Sequence, residues 1–376
     1  MKILYISKSN IPSRSANSIH VIKMCQAFSD NGHEVVMLAP NIKKKFDSST
    51  EDIYKYYGVK KNFVIKKLWH PDNKIGALIY TLSIFFFLLF KKNFDIVYGR
   101  FMHGCYIAAL LKNKVIYEAH AQISHDNIHK KIIFQRLVKN KYFIKLVVIS
   151  KALKKIYQES GLVNNCKIQI AHDGADKVTN FNKKAKLFGL KKNLKVGYIG
   201  HLYKGKSMEV IKSLENKLDE NIEIHIVGGL EEDIEYWKNQ ISSKNIFFYG
   251  FIPHGRVGDY INAFDICLLP NQKIVLAHGS GDSRRFLNIG EYTSPLKLFE
   301  YMSHRKGIIS SDLPVIREVL NETNSILVKC DDVEAWVSSI KYLSDSIKRK
   351  KIANQALSDF SKFTWKNRAL ELIKFL

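Results

Sequence analysis

The stretch GEYTSPLKLFEYMSHRKGIISSDLPVIREV, residues 290–319, runs a polar loop, a helix, a buried strand and a turn together in close succession. The loop closes on Ser294-Pro295. Proline suits the first turn of a helix, where its missing N–H would have had no partner. An amphipathic helix over 295–303 follows: Leu296, Leu298, Phe299 and Met302 are apolar, and Lys297 and Glu300 stand within its first two turns. A buried strand is expected at 307–310, then a turn and a second helix starting at Asp312-Leu313-Pro314. The free N–H groups and the dipole at the N-terminus of the 295–303 helix favour an anion. Glu300 points toward whatever the loop holds. Backbone amides for phosphates and a carboxylate for a ribose make the layout of a nucleotide-diphosphate pocket.

Upstream, strands alternate with helices. In the first half, apolar strands are expected at 2–6, 34–38, 63–66, 96–98, 115–118, 146–149 and 168–171, with helices at 18–30, 74–92, 103–111, 128–139 and 151–158. Asn31-Gly32 ends the first helix as a C-cap should. Short apolar runs separated by helices argue for a parallel sheet covered on both faces. Residues 180–193 are polar and lysine-rich, a linker. The pattern then restarts, with strands at 194–199, 222–227, 246–249 and 266–269 and helices at 207–217, 231–240 and 257–263. The expected fold class is α/β, with two doubly wound Rossmann-like domains facing across a cleft at their strand C-termini, where such sheets bind ligands. The expected boundaries are 1–180 and 186–358, with a terminal helix, 359–376, crossing back to the first domain.

A chain of 376 residues is too long for one ordinary core, which agrees with two domains. Hydrophobic content of 46% and charged content of 25% describe a folded protein. The net charge of +24 admits nucleic acid, an anionic membrane surface or anionic small substrates as partners. Lysine in KK and KN runs makes much of that charge solvated surface, with a membrane-surface component added. Cys25, Cys105, Cys166, Cys267 and Cys330 are scattered, with no CxxC pair, which argues against a disulfide framework or a zinc site and fits a reducing cytoplasm. The opening MKILYIS reads as a strand, not a signal peptide. The most apolar stretch, 77–90, falls short of the roughly 20 residues needed to span a bilayer. It reads as a buried helix, with an interfacial segment as the alternative. No DxD occurs, and no metal or cofactor is expected.

Chemistry concentrates at strand ends. The loop 7–17 carries small residues, Ser13, Ser15, Ala16, Asn17 and Ser18, which either admit a ligand to the backbone or form a serine-rich turn with an N-cap. Gly200-His201-Leu202-Tyr203-Lys204-Gly205-Lys206 follows the first strand of the second half. There Lys206 or Lys204 would neutralise charge building on a departing phosphate. Tyr117-Glu118-Ala119-His120 ends a first-half strand. A histidine one residue past a parallel strand is well placed for catalysis, and Glu118 is either its orienter or a strand-end charge. His172-Asp173-Gly174-Ala175-Asp176 reads as a turn with an Asx motif. Arg284 and Arg285 either reach a phosphate or stay solvated.

Several stretches in order, ANSIHVIKMCQAFSDNGHEV, FDIVYGR, VIYEAH, AHDGAD, VGYIGHLYKGKSMEVI, FFYGFIPHGRVGDYINAFDICLLP, SPLKLFEYM, GIISSDLPVIREVL and FTWKNRA, resemble glycosyltransferase family 4 of the GT-B fold, the retaining sugar-nucleotide transferases. The resemblance implies that His120 contacts the transferred sugar and that Lys206 binds the donor diphosphate. His201 stands where the family usually has an arginine. Glu300 matches the second glutamate of the family's Glu-seven-residues-Glu motif and would hold the ribose. The first falls at Tyr292, with Glu291 one place off, so either Glu291 shifts in or the backbone of Thr293, Ser294, Pro295 and Leu296 holds the sugar. Ser15-Ala16 replace the family's glycine pair, and the nucleobase would lie near Gly250, Phe251 and Ile252.

The implied reaction moves a sugar from a nucleotide diphosphate sugar, UDP-linked on family grounds, to a hydroxyl acceptor without a metal, keeping the anomeric configuration. Domain closure would bring His120 over the donor. The expected acceptor is a lipid-linked or growing cell-surface glycan such as capsule or O-antigen, reached at the inner face of a bacterial cytoplasmic membrane. Residues 128–145, basic with interleaved apolar positions, either touch an anionic leaflet or form an ordinary packed helix. The alternatives are a nucleotide-sugar epimerase of the same fold, a weakened family member, and, less favoured, a nucleic-acid-binding protein, for which no recognisable module is present.

Overall fold

The computed structural model describes residues 1–42, 52–91, 93–123, 127–203, 205–275 and 288–374. The chain divides into two compact units, one of Met1–His172 with Trp365–Leu376 and one of Asp173–Thr364.

The first unit runs β1 (Lys2–Ile6), α1 (Ala16–Asp30), β2 (Glu34–Asn41), α2 (Ile53–Tyr57), β3 (Val64–Trp69), α3 (Gly76–Phe90), β4 (Ile96–Gly99), α4 (Met102–Leu110), β5 (Val115–Ala119), α5 (Ile128–Lys139), β6 (Phe143–Val148), α6 (Lys151–Glu159) and β7 (Ile168–Ile170). The strands form one seven-stranded sheet in the order β3-β2-β1-β4-β5-β6-β7, every pair parallel. The order reverses between β1 and β4, a switch point at whose strand C-termini such sheets hold ligands.

The second unit runs β8 (Leu194–Ile199), α7 (Met208–Ser213), β9 (Ile222–Val227), α8 (Glu231–Gln240), β10 (Ile246–Phe248), α9 (His254–Ala263), β11 (Ile266–Leu269), α10 (Leu296–Ser303), β12 (Gly307–Ser311), β13 (Ile326–Val328), α11 (Val333–Ser344) and α12 (Ser346–Phe360). Its six-stranded sheet, β10-β9-β8-β11-β12-β13, is also parallel throughout and switches between β8 and β11. Strand β12 is buried at every position, as a strand covered by helices on both faces must be. The last helix, α13 (Trp365–Ile373), belongs to the first unit, where Lys366 O accepts from Asn31 Nδ2 at 2.9 Å.

Two expectations are corrected. The helix expected from Asp312 is a run of turns over 314–319, in which Ile316 N reaches Leu313 O at 2.9 Å and Val319 N reaches Ile316 O at 3.0 Å. Arg317 N also reaches Leu313 O at 3.0 Å and Leu320 N reaches Ile316 O at 2.9 Å, but these bonds close single turns that do not extend into a helix. The basic stretch 128–145 is, as expected, helical to Lys139; it buries Phe134, Leu137 and Val138, and its remainder enters β6. Helix α3 is buried on one face only, through Gly76, Tyr80, Ile84 and Leu88.

Candidate active site

In the first unit, β5 delivers Glu118 and His120 to the C-terminal edge of the sheet. Glu118 is 1% exposed. Its Oε1 accepts His120 Nε2 at 2.6 Å and Arg368 Nη2 at 2.8 Å, with His20 Nε2 at 2.9 Å, while Oε2 accepts the Tyr98 hydroxyl. Burial alone would raise this carboxyl's pKa, but Arg368, His20 and His120 override it and hold the group well below the usual carboxylate range. Glu118 is therefore ionised and can only accept, so His120 Nε2 is the donor. Burial first, then the neighbouring Arg100, pushes His120 down to about 3. The ring stays neutral, and Nδ1 carries the lone pair. Arg368 Nε also donates to His172 O at 2.8 Å, tying α13 to the end of the strand-β7 segment. Arg100, just past β4, has a buried Nη1 with no hydrogen-bond partner among the described residues.

The loop before α1 is organised by serines. Ser15 is the N-cap and its Oγ accepts from Ser18 N at 3.2 Å; Ser18 Oγ donates to Ser13 O and Ser15 O. Ser15, Ala16 and Asn17 stay exposed. The hydroxyl of Ser15 thus serves the helix, and it is the exposed backbone of 15–17 that remains to meet a ligand.

In the second unit, the loop after β8 makes a close-packed nest. Gly200 has φ +145°, and a Cβ there would lie 2.6 Å from Lys297 Nζ. Gly228, at φ +111°, brings the β9 loop so near that its Cβ would lie 2.3 Å from Gly200 O. Only glycine fits such positions. Lys297 Nζ stands 3.9 Å over the Tyr198 ring, and Tyr198 donates its hydroxyl to His201 O at 2.8 Å. Lys206 Nζ lies 5.6 Å from the Tyr203 ring centroid. Burial lowers Lys206 to about 8; burial and the nearby Lys206 charge hold Lys297 well below the usual lysine value, only partly relieved by Glu300. Neither ammonium has an ion-pair partner among the described residues. Two neighbouring cations, each partly stripped of water and with no carboxylate in ion-pair contact among the described residues, form a site prepared for an anion.

Glu300, on α10, pairs with His254 at the start of α9, Oε1 to Nε2 at 2.7 Å. Phe251 and Ile252 lead from β10 into α9, and Ile252 packs on the core. Pro295 is the N-cap of α10, so Leu296 is its first residue; Ser294 Oγ accepts Asp173 N at 3.0 Å. Tyr292 is buried at 1%, Thr293 is half-buried, and Glu291 is the exposed carboxylate of that turn. Lys204, Arg284 and Arg285 lie outside the described residues.

Lys297, His254, His20, Tyr98 and Arg368 carry no local signal in the sequence that marks them as site residues. Lys297 was visible beside Pro295 but looked like one lysine among many. The terminal FTWKNRA contains Arg368, yet nothing local ties it to Glu118. The structure also brings His20, Glu118 and His120 together, with donor atoms within 4.8 Å of one another, a grouping that spacing in the sequence does not reveal. Arg368 already supplies the positive charge on the shared Glu118 oxygen.

Residues 18–177 match the model of Glycosyltransferase Family 4, and residues 193–346 match that of Glycosyl transferases group 1. No curated protein matches the sequence. Among solved structures, Anabaena HepE in complex with UDP and glucose is similar at TM-score 0.72 and 13% identity, covering 100% of both chains. The sucrose-phosphate synthase of Thermosynechococcus elongatus is similar at TM-score 0.73 and 14% identity, covering 99% of this chain and 97% of that one. A glycosyltransferase from Rickettsia africae gives 0.71 and 15%, with the same coverage. With two family models that together account for most of its length and two parallel Rossmann-like sheets, this chain belongs to glycosyltransferase family 4 and has the GT-B fold.

Proposed function

We propose that the chain transfers a sugar, with retention and without a metal, from a UDP-sugar to a hydroxyl of a lipid-linked or growing cell-surface glycan at the inner face of a bacterial membrane. The observation that carries this reading is the pair Lys206 and Lys297, two cations without carboxylate partners beside the Gly200 turn and the N-terminus of α10. A diphosphate supplies the missing negative charge. Solved structures of similar fold hold UDP, which favours that nucleotide.

In the proposed step the anomeric C–O bond to the diphosphate breaks and a bond to the acceptor oxygen forms on the same face. The acceptor's proton passes to the leaving phosphate. Lys206, Lys297 and the first amides of α10 stabilise the charge that develops there. Glu300, steadied by His254, holds the ribose. Neutral His120 presents Nδ1 to a sugar hydroxyl, held in place by Glu118.

The test is a donor-hydrolysis screen across nucleotide sugars, paired with melting curves. UDP and one UDP-sugar should raise the melting temperature, and that sugar should be hydrolysed. If no nucleotide diphosphate shifts melting while a nucleic acid does, the reading is wrong.

A further inference from the structure

Helix α3 carries no charged residue, and it is apolar on both faces. One face packs on the sheet. The other leaves Leu78, Leu82 and Phe86 exposed at 60%, 48% and 53%, and Phe90 at 82%. With Ile75 and Leu89 these side chains form one continuous stripe, because their spacing follows the helical repeat. Trp69, 68% exposed, ends the adjoining edge strand β3, and Ser83 Oγ donates to Trp69 O at 3.4 Å. Water-exposed apolar surface of this extent is costly unless something covers it.

The charge around the stripe indicates what does. Between 64 and 91 stand Lys66, Lys67, Lys74 and Lys91, all exposed, against a single acid, Asp72. Lys66 Nζ reaches over the Phe87 ring, so the cations edge the helix itself. A second copy of a +24 chain would bring these lysines against their own kind. An anionic bilayer offers hydrocarbon for the stripe and phosphates for its rim. Among the described residues no helix is long and apolar enough to cross a membrane. At about 1.5 Å per residue, α3 is too short for a hydrocarbon core of about 30 Å. It suits a helix lying in the plane of the headgroups, with Trp69 at the depth where tryptophan settles.

We infer that α3, with Trp69 and the surrounding lysines, is the surface by which this protein docks on an anionic membrane. This deepens the membrane-side part of the proposed function and rests on it. It also moves the contact away from 128–145, the basic stretch that drew attention in the sequence.

Flotation with phosphatidylcholine vesicles, with and without about one-third phosphatidylglycerol, tests it. The full chain should float with anionic vesicles, weakly with neutral ones, and less at high salt. Leu78→Glu/Phe86→Glu should weaken binding about tenfold or more. Lys66→Glu/Lys91→Glu, which leaves the stripe intact, should weaken it on anionic vesicles only. Ile132→Glu on α5 should change nothing. Three outcomes would overturn the assignment: equal binding to neutral vesicles, binding lost through Ile132→Glu but not through α3, or a lipid-free dimer that Leu78→Glu/Phe86→Glu dissolves. A UDP melting shift measured on the same variants separates this surface from the donor site. For the unsubstituted chain, no flotation with the shift present is failure of the docking proposal alone, and flotation without any shift is failure of the transferase reading alone; for Leu78→Glu/Phe86→Glu, lost flotation with the shift retained is the expected result.

Discussion

Each unit holds a cluster of buried charge, and the two are built on opposite plans. Around Glu118 the account is closed: one guanidinium, the His120 imidazole and a phenol hydrogen-bond the carboxylate, and His20 Nε2 stands 2.9 Å from it. Around Lys206 and Lys297 it is open, with two ammonium groups near each other and no carboxylate partner among the described residues. A closed cluster fixes a side chain in place. An open one creates demand for a ligand of opposite sign. The difference separates a positioning device from a binding site.

That contrast can be broken or sharpened by experiment. The largest effect is expected at the closed cluster. Arg368→Ala strands a buried carboxylate and should cost about 3–5 kcal/mol of stability, read from urea unfolding. A cost under about 1 kcal/mol would show that the network is not closed in the way described. At the open cluster, Lys206→Ala or Lys297→Ala should lower kcat about 10²–10³-fold with the fold intact. Neither should destabilise the protein, because each removes one of two like charges. Glu300→Ala should also lower transfer by orders of magnitude. Unchanged rates would mean that the donor site has been misplaced.

The clusters should also answer differently to pH. His120, held near 3, is neutral throughout pH 5–8 and contributes no inflection there. Lys206, near 8 in the empty protein, loses its charge as pH rises through that value, and bound diphosphate draws its pKa back up. The free protein then has to take up a proton to bind, so donor affinity should fall above pH 8 by up to about tenfold per unit. Lys206→Arg, which stays charged, should flatten that limb in a titration of UDP affinity. The smallest effect is local: Ser15→Ala removes the α1 N-cap at a cost of about 1 kcal/mol and should leave donor affinity nearly unchanged.

Much of the fold was legible because period and punctuation agree locally. Strands β8, β9 and β11 and helices α5 and α8 run over the residues expected, each a clear apolar run or amphipathic stretch between turn signals. Less was legible where the deciding partner is distant. Lys297 acquires meaning only when α10 brings it against Gly200, and the pairing of Glu300 with His254 joins residues 46 apart. The short α2, held by the Asp52 cap and a left-handed Gly58, carries too few residues for a period to show. Apolarity alone placed α3 in a core, because composition reports how greasy a helix is and not how many of its faces have neighbours. The turn after β12 offered Asp and Pro, good signals for a helix start, yet its backbone closes single turns that do not extend into a helix.

The return of α13 to the first unit has a consequence for how the protein is made. Glu118 leaves the ribosome 250 positions ahead of the guanidinium that neutralises it. Until then Glu118 has only Tyr98, His120 and His20 beside it, and the one permanent cation of the cluster arrives after the whole second unit. A chain stopped before Trp365 lacks that guanidinium and should unfold at a lower urea concentration than the full chain.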